Sequence, residues 1–159
     1  MAVTSTPLKS QVSNYQIYTL FIYNFTKYIQ WPDNMPNEVF KIGIYGNSPI
    51  IENFNKLAKE KKVGIKNIEI IQLNHLSNIA DMNILFIPDS NSNKVEEIVN
   101  ESKSLPILIV TEKTGLVKVG AGISFINVNN NIKFQLNTDV LSAHKLKASR
   151  SLESLAYIE

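Results

Sequence analysis

Phe40-Lys41-Ile42-Gly43-Ile44-Tyr45-Gly46-Asn47-Ser48-Pro49 is the stretch from which the fold can be read. Its first six residues are rich in apolar and β-branched side chains and stop at a glycine, so they read as a strand. Ser48 offers an N-cap hydroxyl and Pro49 the first position of a helix that the pattern carries to about Glu60. Strand, glycine turn and helix follow without a spacer, which is the opening of a βαβ unit.

Working outward toward the C-terminus, Lys59-Glu60-Lys61-Lys62 reads as the solvated end of that helix, with cations near its C-terminus. Ile68-Glu69-Ile70-Ile71-Gln72 reads as a second strand. Met82-Asn83-Ile84-Leu85-Phe86-Ile87 and Pro106-Ile107-Leu108-Ile109-Val110 are continuous apolar runs, as expected of central strands covered on both faces. A helix from about Asn91 to Ser102 separates them. Strands alternating with helices at this spacing predict an α/β fold: a three-layer, mainly parallel, Rossmann-like sheet flanked by helices. Ile123–Val128 and Ile132–Leu136 flank Asn129-Asn130-Asn131, and asparagine accepts the positive φ of a tight turn, so an antiparallel hairpin closes the sheet. The tail carries a short helix from Thr138 through Ala143 and a segment with Leu146, Leu152 and Leu155.

Toward the N-terminus, Tyr18, Phe21, Ile22, Phe25 and Ile29 recur at the spacing of one helical face. They predict a helix from about Lys9 to Gln30, ended by Pro32, which biases Trp31 out of the α region. Tyr23 and Tyr28 lie off this stripe or at its edge. The aromatic surface, with the single Trp31, reads either as a core boundary or as a contact for a partner, since Trp and Tyr dominate contact energies. A turn-rich loop is expected from Asp33 to Asn37.

The 159 residues suit a polar lead over 1–8 and one domain over 9–159, long enough to bury roughly two thirds of its unfolded surface. Apolar content of 44% and charged content of 19% are those of an ordinary globular chain, and no apolar run approaches the ~20 residues that span a bilayer. A net charge of +2, with lysines interspersed among acidic residues, argues for neither nucleic acid nor an anionic membrane. The absence of cysteine removes thiol catalysis, disulfides and thiolate metal sites without fixing the compartment. The opening Met1-Ala2-Val3-Thr4-Ser5-Thr6-Pro7 has neither the basic nor the apolar region of a signal peptide and reads as the start of a processed chain.

No catalytic or metal-binding constellation emerges. His75 and His144 lie apart, neither at ligand spacing, and both read as structural or surface residues. The Gly46 turn lacks the G-x-G-x-x-G fingerprint, and Gly115–Gly122 precedes a strand where a phosphate loop would follow one. Asp81, Asp89 and Asp139 sit at element ends, where carboxylates cap helices. No cofactor is expected.

Taken in order, Phe21-Ile22-Tyr23-Asn24-Phe25-Thr26-Lys27-Tyr28-Ile29-Gln30-Trp31-Pro32, Ile42–Pro49, Ile84–Ile87, Gly122–Phe125, Ile132–Asn137 and Leu146–Leu152 resemble the YfiR family of small secreted bacterial signalling proteins, from about Gln16 to Tyr157. The resemblance implies a non-enzymatic periplasmic regulator. Its implied partner is the periplasmic sensor region of a membrane diguanylate cyclase, which it would hold inactive, lowering cyclic di-GMP and biofilm formation. A sensor kinase is the alternative partner, and an outer-membrane peptidoglycan-associated lipoprotein the opposing one. Better-known members carry disulfides, which this chain cannot form. Tyr23, Tyr28, Trp31 and Pro32 of the signature helix and its exit are the implied partner-binding residues. The residues themselves add a second expectation, a small-molecule crevice at the carboxyl ends of the parallel strands, formed by Gly46, Asn47, Ser48, Asp89 and Ser90. A homodimer is the commonest assembly for such a surface.

Overall fold

The computed structural model describes the backbone of residues 6–33, 35 and 38–158, with side chains from Asn14 onward. Residues 1–5 of the expected lead, and Asn34, Pro36 and Asn37 of the expected loop, lie outside the described residues. The first half comprises α1 (Thr6–Tyr28), β1 (Ile29–Gln30), β2 (Val39–Tyr45), α2 (Ile50–Glu60), β3 (Lys62–Val63), β4 (Lys66–Leu73) and β5 (Ile84–Ile87). The second comprises α3 (Val95–Glu101), β6 (Leu108–Thr111), β7 (Ile123–Val128), β8 (Asn131–Leu136), α4 (Thr138–Ala143), β9 (Lys147–Ala148) and α5 (Arg150–Leu155). Short 3₁₀ segments cover Leu76–Asp81 and Leu116–Val119, and two such turns joined across a kink at Asn91 cover Asp89–Lys94.

The βαβ unit forms as the sequence predicts. Ser48 Oγ accepts the Ile50 N–H at 3.2 Å and Pro49 is already helical, so the serine caps α2 from the turn. Gly46 stands at φ +89, and a Cβ there would meet Asn91 Nδ2, so only glycine fits. The seven-stranded sheet has the order β3-β4-β2-β5-β6-β7-β8. From β4 through β7 the neighbours are parallel, and β3 and β8 add antiparallel edges. The expected hairpin is present, with Asn129 at φ 52 and Asn130 at φ 65 making its turn.

Strand alternation sorts the core into two layers. Ile42, Ile44, Ile84, Phe86, Leu108 and Val110 face α1, α2 and α5, while Leu85, Ile87 and Ile109 face α3. Phe25 anchors the first layer, its ring centroid 5.1 Å from Phe134 and 6.2 Å from Phe125. Each such fully buried side chain contributes roughly 1.5–3 kcal/mol through removal from water.

Three expectations need correction. The opening helix begins at Thr6 and stops at Tyr28, short of Gln30, because Ile29–Gln30 pair antiparallel with Lys147–Ala148 and Ser149 N–H donates to the Tyr28 carbonyl at 2.8 Å. Long-range pairing overrides the local period there. The helix expected from Asn91 begins as an α-helix only at Val95, since Asn91 leaves helical geometry (φ −117, ψ 17) to donate through Nδ2 to the Tyr45 carbonyl at 3.1 Å. Of the solvated end expected over Lys59–Lys62, Lys59 and Glu60 close α2 where the pattern put its end, and only Lys62 departs, pairing with β4 as an edge strand.

Candidate functional site

Strand order locates the site. β2 is the first parallel strand, and its successors lie on both sides of it, β4 on one and β5 on the other. Connections leaving neighbouring strands in opposite directions open a crevice at the carboxyl ends, which is where open α/β sheets bind ligands. The turns after β2, β5 and β6 build that crevice from Asn47-Ser48-Pro49, Pro88-Asp89-Ser90 and Glu112-Lys113-Thr114. α1 runs antiparallel to these strands and supplies Tyr15 and Tyr18 as its wall.

The crevice comprises two cavities of about 360 Å³ that share Asp89 and Glu112, with a third of about 430 Å³ reached past Asn47 and Ser48. Glu112 is its central group. One carboxylate oxygen accepts the Asp89 N–H at 3.0 Å, and its own N–H donates to the Ile87 carbonyl at 3.0 Å. Below it, Thr111 Oγ1 donates to the Lys113 carbonyl at 2.8 Å, and the Thr111 and Ser124 hydroxyls lie 2.6 Å apart. Thr114 closes the wall by donating to the Phe125 carbonyl at 2.7 Å.

Burial dominates the electrostatics. It pushes the Glu112 and Asp89 carboxyls up from their ordinary range, against the Asp89 N–H on Glu112 and the Lys113 charge near Asp89. Burial likewise raises both phenols, with the two carboxylates adding to it, and takes Tyr18 to about 12. Tyr18 also packs on the core, its ring tilted by 30° against Phe125 with the centroids 4.5 Å apart. Burial therefore shifts the acids and phenols of the crevice in the same direction, toward their neutral forms.

Of the expected crevice residues, the structure brings Asn47, Ser48, Asp89 and Ser90 together; Gly46 shapes the turn behind them against Asn91. Sequence reasoning missed Tyr15, Tyr18 and Glu112. Glu112 had a readable signal, since it follows its strand as Asp89 follows β5. The tyrosines had none, because periodicity places them on a face without saying which end of the sheet that face meets.

The signature residues lie at the opposite, amino end of the sheet. Trp31 packs edge-on against Phe40 at 5.1 Å and donates through Nε1 to the Asn83 carbonyl at 3.2 Å. Pro32 beside it is half-buried. Tyr23 donates its hydroxyl to the Lys62 carbonyl at 3.2 Å, with Lys27 Nζ 4.8 Å from its ring centroid. Tyr28 is exposed, on a groove of about 260 Å³ with Lys27 and Lys147. His144 is buried with Nδ1 2.8 Å from the Leu105 carbonyl, and His75 is exposed. Asp139 does not cap α4; Asn137 does, accepting the Val140 N–H at 3.1 Å. Among the described residues no cluster of three or more metal-ligating side chains occurs, and no helix is long and apolar enough to cross a membrane.

No curated protein matches the chain. A family model described as YfiR/HmsC-like matches residues 15–157, from the first tyrosine of the crevice wall to the tyrosine whose N–H donates to the edge strand at Phe134.

Proposed function

Because the chain belongs to the YfiR/HmsC-like family, regulatory and not catalytic in character, we propose that it is a non-enzymatic periplasmic regulator that binds the periplasmic sensor region of a membrane diguanylate cyclase and represses it. Cyclic di-GMP and biofilm formation fall as a result. The family match over residues 15–157 carries this reading. The α/β frame supports it by holding Tyr28 outward while Trp31 and Pro32 fix the helix exit, so that the signature presents one aromatic side chain on a braced corner. A sensor kinase is the alternative output, a peptidoglycan-associated outer-membrane lipoprotein the opposing partner, and a homodimer the state in which the free chain waits. The test is co-purification of the tagged mature chain from envelope extract, with cyclic di-GMP measured in cells lacking it. The reading requires a cyclase to be retained and the nucleotide to rise; a folded chain that retains no signalling protein and leaves the nucleotide unchanged would overturn it.

A second reading is favoured by the crevice: a small-molecule sensor whose ligand sits among Asn47, Ser48, Asp89, Ser90 and Glu112. Such a ligand stabilises the folded chain by mass action, so a thermal-shift screen of amines, amino acids and nucleotides should return hits that Glu112→Ala abolishes. A flat response across the set removes this reading.

A further inference from the structure

The lysines that are interspersed along the sequence are not dispersed in the fold. Residues 59–66 hold four lysines against one glutamate: Lys59 in the last turn of α2, Lys61 at its C-cap, and Lys62 and Lys66 on the β3–β4 hairpin at the edge of the sheet's amino end. Gly64, at φ +60, and Ile65 form its two-residue turn, with Val63 and Lys66 paired across it. Ile65 at the apex is 95% exposed, the most exposed large apolar side chain among the described residues. A fifth lysine joins them: Tyr23 is hydrogen-bonded to the Lys62 carbonyl, and Lys27 lies over the Tyr23 ring. Among the described residues none of the five forms an ion pair.

Turn chemistry does not ask for isoleucine here. A hairpin apex is served by glycine, asparagine or serine, and a β-branched alkyl group in water gains nothing for the fold. Edge lysines deter strand pairing, which explains Lys62 and Lys66 but neither the apolar apex nor Lys59 and Lys27. One exposed alkyl side chain at the tip of a turn, with lysines before and after it in the chain, suits a soft phase with an anionic boundary. The cations are all lysine, point charges that seek a layer of phosphates without the directional fork that arginine brings to a protein carboxylate.

We propose that the β3–β4 hairpin is a membrane-docking tip, Ile65 entering the headgroup region of an anionic bilayer while Lys27, Lys59, Lys61, Lys62 and Lys66 face its phosphates. The tip and the crevice are at opposite ends of the sheet, so docking leaves the crevice open to solvent. The inference is independent of the regulatory reading: vesicle binding needs no cyclase, and either can fail alone.

The test is flotation of the whole chain with vesicles of equimolar phosphatidylglycerol and phosphatidylcholine, and with pure phosphatidylcholine, at low and at physiological salt. Flotation with the anionic vesicles alone, weakened by salt, is the expected result. Lys62→Gln with Lys66→Gln should lower partitioning about twenty-five-fold, at about fivefold per lysine. Ile65→Ser should lower it about tenfold while keeping the salt dependence, reporting insertion as distinct from charge. All three substitutions are at the hairpin surface, and circular dichroism checks that the fold persists. Absence of flotation with anionic vesicles, equal flotation with both, or an Ile65→Ser chain that binds as tightly as the parent would each overturn the proposal. So would variants that keep vesicle binding but lose an acidic protein partner in solution.

Discussion

The two ends of the parallel sheet have opposite character. At the carboxyl end the connections diverge and leave a concavity lined by Tyr15, Tyr18, Asp89 and Glu112, acids whose burial favours their protonated forms. At the amino end the chain is closed over itself. Trp31 seals the entry to β2, β1 and β9 tie the start of the chain to its tail, and what projects is convex and cationic. Topology decides this division. A crossover must leave a strand somewhere, and where neighbouring crossovers leave in opposite directions no side chain can fill the gap without blocking one of them. One end is therefore suited to enclosing a small group and the other to resting against a surface.

The comparison breaks most completely if the layer joining the two ends is removed. Phe25 lies in the last turn of α1, between Tyr18 and Tyr28, and is fully buried against Phe125 and Phe134. Phe25→Ala should cost about 3–5 kcal/mol in denaturant unfolding. A loss under about 1 kcal/mol would mean that the aromatic layer is not what unites the ends. A smaller effect isolates the amino end. Trp31→Phe keeps the edge-on packing but deletes the N–H donated to Asn83, whose carbonyl still takes the Leu108 N–H, and should cost about 1 kcal/mol. If stability is unchanged, the indole nitrogen is not part of the seal.

The subtlest change sharpens the carboxyl end through pH. The carboxyls of Glu112 and Asp89 have folded-state values raised above the ordinary 4.5 and 3.8, so the folded chain holds their protons more tightly than the unfolded one. The stability this contributes is complete below the ordinary values and declines as pH rises through the raised ones. Glu112→Gln removes one of these ionisations and keeps an oxygen for the Asp89 N–H. The variant should lose less stability than the parent between pH 4 and 7, and the Tyr18 phenol, relieved of a neighbouring negative charge, should titrate below its value of about 12. Unfolding curves across that range and absorbance titration of the phenols measure both. A variant that follows the parent at every pH would show that Glu112 is solvated like a surface acid.

Much of the frame was legible because it is local. Apolar runs such as Ile84–Ile87 belong to buried parallel strands, and an Asn-Asn turn between alternating segments belongs to a hairpin. The α1 boundary was not legible, because two residues, Ile29 and Gln30, are claimed by two others more than a hundred positions away. Nor was the lysine corner: interspersion along a chain says nothing about neighbours once β3 folds back on β4 beneath Tyr23. The crevice was half legible. The rule that ligands gather after parallel strands found Asn47, Ser48, Asp89 and Ser90, and the same rule applied to β6 would have found Glu112, whereas Tyr15 and Tyr18 arrive from an antiparallel helix whose approach only the packed fold determines.

That helix has a mechanical consequence. α1 is a single unbroken rod from Thr6 to Tyr28, and the nine-residue step from Tyr18 to Lys27 spans roughly 14 Å of its axis. A rod has one position and one tilt. Tyr18 at the crevice and Lys27 and Tyr28 at the amino end are therefore carried by one continuous element, and their separation along the domain is set by the rise of a single helix.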